Sequence, residues 1–218
     1  MAERPVFVPM THGSRLVDEV PISFAWHSGM SPSQKKKNVA ALHAAAANRC
    51  GMAHLLEVSS KSEKEIGRRL SAFHQKLELS DGRIVSLESA YQASKVFEDG
   101  GPFVDLLNAE PRDAKRDLRL RESGNLVGFQ FEGKRFPVNP KSVFYDWLYA
   151  QAIFPEREWL KRLGKLDGFT DIEFNPDKSV NCQARSCAFF VALEKRDLLD
   201  EAMTSFERFS EIQKQSAL

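Results

Sequence analysis

Little in this chain suits disulfide or metal chemistry. The 218 residues hold three cysteines, Cys50, Cys182 and Cys187, with no C-x-x-C pair, and five histidines scattered without ligand spacing. Reduced thiols, a cytoplasmic address and no structural metal or cofactor are the expectation. An excess of one charge is also missing: 31 Lys and Arg stand against 30 Asp and Glu, a formal charge of +1. No global field is there to hold a polyanion, so any nucleic-acid contact needs a local patch. No segment approaches the run of about 18 apolar residues that reads as a membrane span, and the start Met-Ala-Glu-Arg-Pro lacks the apolar stretch of a signal peptide. Internal repeats, low-complexity linkers and composition breaks are absent as well. One domain over residues 1–218 is the simplest reading, and at this length roughly 70% of the unfolded surface is buried.

The pattern that is present alternates short strands with helices. Val6-Phe7-Val8 and Ile22 to Trp26 read as strands bounded by Pro or Gly. Ser31-Pro32-Ser33-Gln34 carries a helix start: a hydroxyl cap, Pro at the first helical position and Gln three residues after the cap. The helix is predicted over Pro32–Cys50, with Gly51 free to take the left-handed conformation that ends it. Leu55 to Val58 reads as a strand running into Ser59-Ser60-Lys61-Ser62, where hydroxyls, amides and a lysine could hold a phosphate. Hairpins are expected at Lys76 to Ser86, around Asp81-Gly82, and at Phe129 to Phe136, around Gly133.

Glu88 and Lys95 lie seven residues apart in Val85-Ser-Leu-Glu-Ser-Ala-Tyr-Gln-Ala-Ser-Lys95. On one helix they return to within about 20° of each other, with Tyr91 and Gln92 between them. Beside this polar stripe run Leu87, Ala90, Ser94 and Phe97, so the pair is expected at the edge of a core, where pKa values can be tuned. The plainer alternative is a solvated Glu/Lys pair.

Two basic groups stand out. Lys35, Lys36 and Lys37 fill the first turns of the Pro32 helix, an unfavourable place for positive charge. Arg112, Lys115, Arg116 and Arg119 fall at i, i+3, i+4 and i+7, a stripe that fits phosphates or simply faces water. Phe144 to Tyr149 opens an aromatic-dense helix in which Trp147 serves the core or stacks on a base. Asp171 and Glu173 alternate with apolar residues on an expected strand from Phe169 to Asn175, followed by Asn181 and Arg185. Leu198, Leu199, Ala202, Met203, Phe206, Phe209 and Ile212 recur at helical spacing, for docking on the core or on a partner.

Four segments together resemble the NADAR, or YbiA-like, family. Ser86-Leu-Glu-Ser-Ala-Tyr-Gln-Ala-Ser-Lys-Val-Phe97 is similar to the family's Glu-x-x-Tyr-Gln-Ala-x-Lys-Phe helix. Leu70-Ser71-Ala72-Phe73 resembles its Ser-x-Phe turn, Asp171-Ile-Glu-Phe174 its acidic segment, and Asn181-Cys-Gln-Ala-Arg185 its closing Asn-x-x-Gly segment. Two departures are plain: Glu173-Phe174 replaces the usual Trp-Gly, and Ala184 stands where glycine is common. Residues 1–54, with Trp26-His-Ser-Gly-Met-Ser31 and Gln34-Lys-Lys-Lys37, resemble the subgroup found as antitoxins beside DarT-type DNA ADP-ribosyltransferase toxins. The NADAR-like core would then span 55–193, with a C-terminal amphipathic helix over 194–218.

The resemblance implies a single α+β domain, predominantly helical, with short strands and hairpins, and a metal-independent hydrolase of N-glycosidic bonds. On that footing Glu88 is the acid or base, and Lys95 either binds substrate as a cation or forms an imine as a neutral amine. A close Glu/Lys pair favours both charged forms. Asp171 and Glu173 would hold ribose hydroxyls or activate water, Asn181 and Arg185 would position sugar or pyrophosphate, and Ser60, Lys61, Ser71 and Gln92 would complete the substrate contacts. Phe73, Tyr91 or Trp147 would stack on a base. Lys35, Lys36, Lys37, Arg112, Arg116 and Arg119 would hold a DNA backbone. The implied substrate is ADP-ribosylated guanine in DNA, with ADP-ribose as product and a DarT-type toxin as functional partner. The alternatives are N-glycosidase action on a riboflavin-pathway intermediate, or a non-catalytic protein that binds ADP-ribose or the toxin.

Overall fold

A computed structural model of the chain describes residues 1–29, 31–176 and 179–216. Met30 of the N-terminal motif and the last two residues of the C-terminal segment lie outside them. In chain order the elements are β1 (Ala2–Pro9), β2 (Val17–Phe24), α1 (Pro32–Cys50), β3 (Leu55–Glu57), α2 (Glu65–Arg69), β4 (Lys76–Glu78), β5 (Ile84–Ser86), α3 (Leu87–Ala93), β6 (Lys95–Phe97), α4 (Pro111–Arg116), α5 (Arg119–Glu122), β7 (Leu126–Phe131), β8 (Lys134–Phe136), α6 (Val143–Ile153), α7 (Arg157–Leu160), β9 (Gly168–Thr170), α8 (Gln183–Lys195), α9 (Leu199–Ala202) and α10 (Phe206–Gln215). Helix outweighs strand, 45% against 19%, so the α+β, helix-dominated expectation holds. Among the described residues no helix is long and apolar enough to cross a membrane. The chain divides into two compact units, residues 1–71 with 156–218, and residues 72–155.

The first unit is built on a sheet ordered β2-β1-β9-β3. β1 and β2 pair antiparallel along their whole length, while β9 pairs parallel to β3 with Leu56 opposite Phe169. α1 covers this sheet, with Val39, Leu42 and Ala46 meeting Val6, Ile22, Phe24 and Leu55. Its boundaries follow the sequence signals: Ser31 Oγ accepts from the Gln34 amide, and Gly51 adopts φ +70°. α8 buries the run Ala188–Leu193, and Phe189 meets Phe209 of α10 with ring centroids 5.3 Å apart. The continuous C-terminal helix expected over 194–218 is instead interrupted twice. α8 stops near Arg196, which donates to the carbonyls of Met10, His12, Gly13 and Arg15, and α10 restarts at Ser205, whose hydroxyl accepts from the Arg208 amide. Its apolar residues Leu199, Ala202, Phe206, Phe209 and Ile212 are buried, which leaves that face to the interior.

The second unit opens with the β4–β5 hairpin, where Leu77 faces Val85 and Gly82 takes φ +81°. A three-stranded sheet β6-β7-β8 follows, its β7–β8 turn made by Glu132 and Gly133, both at positive φ. Phe144 of α6 packs its ring against Phe129 at 4.4 Å and Phe136 at 4.9 Å. α3 lies inside this unit with all seven residues buried.

Three sequence expectations need correction. Lys95 is not on the Glu88 helix: Ser94 Oγ bonds back to the Ala90 carbonyl at 2.6 Å as α3 ends, and Lys95-Val96-Phe97 pairs with β7 as a strand. β-branched Val96 and the aromatic after it favour that pleated geometry. Arg112 to Arg119 is not one helix: α4 ends before Asp117, whose Oδ1 accepts from the Arg119 amide and starts a new turn. The strand expected over Phe169 to Asn175 stops at Thr170, because the Asp171 carboxylate and carbonyl accept from the amides of Glu173 and Phe174 and fold the chain into a turn. Asp171 is consequently buried and Glu173 exposed, not two acids on one strand face.

Candidate active site

Glu88 enters α3 in its first turn, just after Ser86, whose Oγ accepts from the Ser89 amide at 3.0 Å. All seven residues of the helix are buried, so the carboxylate is carried into the interior with 3% exposure. A carboxylate there must be satisfied locally. Gln92, one turn on, donates Nε2 to Glu88 Oε1 at 2.8 Å, and Lys115 Nζ from α4 approaches the same oxygen at 3.5 Å. Glu88 Oε2 accepts no hydrogen bond among the described residues, and buried Gln92 Oε1 is likewise without a partner. Each of these two acceptors is therefore without a donor among the described residues.

Lys95 reaches the same region from β6. Its Nζ lies 4.9 Å from the centroid of the Tyr91 ring, which is itself packed against Phe129 and Tyr145. Burial is the chief influence on this amine and lowers it from 10.5 to about 8; the charge of Lys115 acts in the same direction and Glu88 opposes both. Desolvation thus outweighs the attraction that the sequence reading expected to hold Lys95 charged. Lys115 Nζ also faces the Phe73 ring at 5.4 Å. Of the residues expected at a site, this unit gathers Glu88, Tyr91, Gln92 and Lys95, with Phe73 joined through Lys115. Trp147 is 7% exposed within α6.

The basic stripe is dispersed. Lys115 turns to Glu88, and Arg119 is held by Asp105 at 2.7 Å and Asp117 at 2.8 Å, which leaves exposed Arg112 and Arg116 as its outward cations. Lys115 is the participant that sequence reasoning misplaced, grouping it with the phosphate-facing arginines by spacing alone.

The first unit holds a second polar cluster. Glu57, at the end of β3 and 2% exposed, accepts from Ser59 Oγ at 2.6 Å, Thr170 Oγ1 at 2.7 Å and the Ile172 amide at 2.9 Å. Those last two donors belong to the residues on either side of Asp171, so Glu57 clamps the turn that carries it. Asp171 Oδ2 accepts from Gln183 Nε2 at 3.0 Å. Burial first, then the nearby Asp171, pushes the Glu57 carboxyl up to about 8, against the pull of its hydrogen bonds. His43 Nε2 meets Thr170 Oγ1 at 2.8 Å, and burial with the Lys64 charge lowers that ring to about 4. Nothing in the sequence marked Glu57, since one glutamate in a short apolar strand has the look of a surface residue.

The remaining expected residues sit in this unit too. Lys61 Nζ donates to Ser60 Oγ at 3.1 Å. Ser71 is fully buried, with its hydroxyl unpartnered among the described residues. Arg185 Nε donates to Glu19 at 3.2 Å, and Asn181 is half-buried just before α8. Lys35 lies 5.9 Å from the centroid of the Trp26 ring, and Lys36 and Lys37 are exposed. Among the described residues no three His, Cys, Asp or Glu side chains gather where a metal ion could be held.

A comparison with curated proteins gives no match. The family model described as DarT1-associated NADAR antitoxin matches residues 2–218. That match takes in the N-terminal lysines, the Glu88 to Lys95 segment and the Asp171 turn alike, and the chain belongs to the family of DarT1-associated NADAR antitoxins.

Proposed function

We propose that this antitoxin works as an enzyme, releasing ADP-ribose from guanine bases in DNA by cleaving the N-glycosidic bond its toxin makes. The observation that carries the reading is the pairing of a buried carboxylate with a desolvated amine: Glu88 with one oxygen open, and Lys95 with its amine lowered to about 8. Cleavage at C1 of the ribose requires a proton on the departing guanine amine and a partner for the electron-poor carbon. With the ribose opened, its C1–ring oxygen bond is broken, that oxygen is protonated and C1 is left as an iminium to the guanine amine. The neutral Lys95 amine then adds to C1 as the C=N pair returns to the guanine nitrogen. Glu88 accepts the proton that the new bond releases and passes it to the leaving guanine amine, and water then frees ADP-ribose and restores Lys95. Gln92 Oε1, an acceptor with no partner among the described residues, suits a ribose hydroxyl.

The test is incubation, with EDTA present, of the protein with a single-stranded oligonucleotide carrying ADP-ribosyl-guanine, following the unmodified strand by gel mobility and mass. Release should be abolished in Glu88→Gln and fall at least 100-fold in Lys95→Ala, the size of contribution such groups make. A fully active Glu88→Gln protein would sink the assignment. A specific observation also favours a smaller substrate: Arg119 is neutralised by Asp105 and Asp117, which removes part of the stripe offered to a DNA backbone. Release from a riboflavin-pathway N-glycoside, with none from the oligonucleotide, would establish that second reading.

A further inference from the structure

Glu88 has two lysines near it within its unit, and they are not equivalent. Lys115 supplies the ion pair, at 3.5 Å, whereas Lys95 makes none among the described residues and faces the Tyr91 ring instead. One carboxylate shared by two ammonium groups leaves the trio with a surplus positive charge. The better-hydrated cation keeps its charge most cheaply. Lys115, with 56% of its side chain exposed, is that cation, and the Phe73 ring beneath its Nζ steadies it beside Glu88. We infer that Lys115 is a positioning residue: as counter-ion of Glu88, it occupies the carboxylate that would otherwise fix Lys95 as an ammonium, and so keeps the Lys95 amine available in its neutral form.

The other ionisable groups on elements packed against α3 are Lys76 and Glu78 on β4, Asp105 in the 3-10 turn Val104–Asn108, Arg112, Asp113 and Arg116 on α4, and Tyr145, Asp146 and Tyr149 on α6, while β7, which packs on the β6 strand of Lys95, carries none. Asp105 is taken by Arg119, and Asp146 accepts from Ser142. Glu88 and Lys115 are the charges that act on Lys95. Removing Lys115 takes away a repelling cation and releases an attracting anion. Both changes raise the pH at which Lys95 loses its proton.

The role assigned to that neutral amine rests on the glycohydrolase reading; its titration does not. Trace acetylation of amines across a pH series, with the Lys95 peptide quantified by mass, gives the Lys95 midpoint in the free protein. In Lys115→Met, with Lys115→Gln as a second neutral variant should the first fold poorly, the midpoint should rise by about one pH unit. Lys115→Arg should hold it at the wild-type position. A midpoint unchanged or lowered in both neutral variants, with folding verified by circular dichroism, overturns the inference. In the oligonucleotide assay the alkaline rise of activity should move upward with the midpoint in Lys115→Met. Wild-type protein that releases nothing at any pH counts against the glycohydrolase reading alone, and an unshifted midpoint counts against Lys115.

Discussion

Glu57 illustrates how a single buried carboxyl ties distant sequence together and leaves a thermodynamic signature. The native state holds its proton up to about 8, against an ordinary value of 4.5, chiefly because the charged form is desolvated. The stabilising contribution is fully present below the ordinary value and is lost as pH rises through the native one. His43 works in the opposite sense at lower pH, since its ring is held neutral down to about 4 against 6.5. The clean window therefore lies above pH 6.5, where His43 is neutral folded or unfolded. We expect the wild-type thermal midpoint to fall from pH 6.5 to 8 and the Glu57→Gln midpoint to stay flat by comparison. Equal slopes in calorimetry would show that Glu57 ionises freely. This residue was invisible in the sequence because its partners come from Ser59 nearby and from Thr170 and Ile172 more than a hundred positions later. Glu88 was legible because its own neighbours, Tyr91 and Gln92, travel with it.

Among the elements, α1 and the two hairpins could be read almost to the residue, since Ser31 and Pro32 favour a helix start and Gly51, Gly82 and Gly133 supply the positive φ that a helix end or a tight turn needs. The stretch after Ala93 could not. Glu88 and Lys95 have helical spacing, yet Ser94 closes the helix and a pairing with Phe129 takes Lys95 into a sheet. Spacing reports what a helix would bring together, while strand pairing is decided by residues more than thirty positions away. The short α3 depends heavily on its start. Ser86 caps the Ser89 amide and donates to Ser89 Oγ at 2.6 Å, and Ser89 in turn donates to the Ala109 carbonyl. Ser86→Ala should cost about 1 kcal/mol in urea unfolding. It should also lower activity, because Glu88 lies two residues beyond the lost cap; full stability in the variant would mean that packing alone fixes the helix.

For the molecule as a whole, a formal charge of +1 leaves nucleic-acid affinity to local cations. Lys35, Lys36 and Lys37 occupy the first turns of α1, where no acid accompanies them. Changing all three to glutamate should weaken binding to single-stranded DNA and lower the slope of log affinity against log salt by about 2, measured by fluorescence anisotropy. An unchanged slope would move the DNA contacts elsewhere. The division into two units was not legible, since composition is even along the chain and the first unit draws on both ends of it.

That discontinuity has a consequence for biosynthesis. β9 sits between β1 and β3 in the sheet, so the central place stays vacant on the ribosome until residues 168–170 have emerged. At about 5–20 residues per second the wait after β3 lasts on the order of 5–20 s, while residues 72–155 emerge as one continuous stretch. Two half-sheet edges are open to proteases and chaperones throughout. A message cut short before Thr170 leaves the Glu57 clamp nothing to close on, because Thr170 and Ile172 supply its donors.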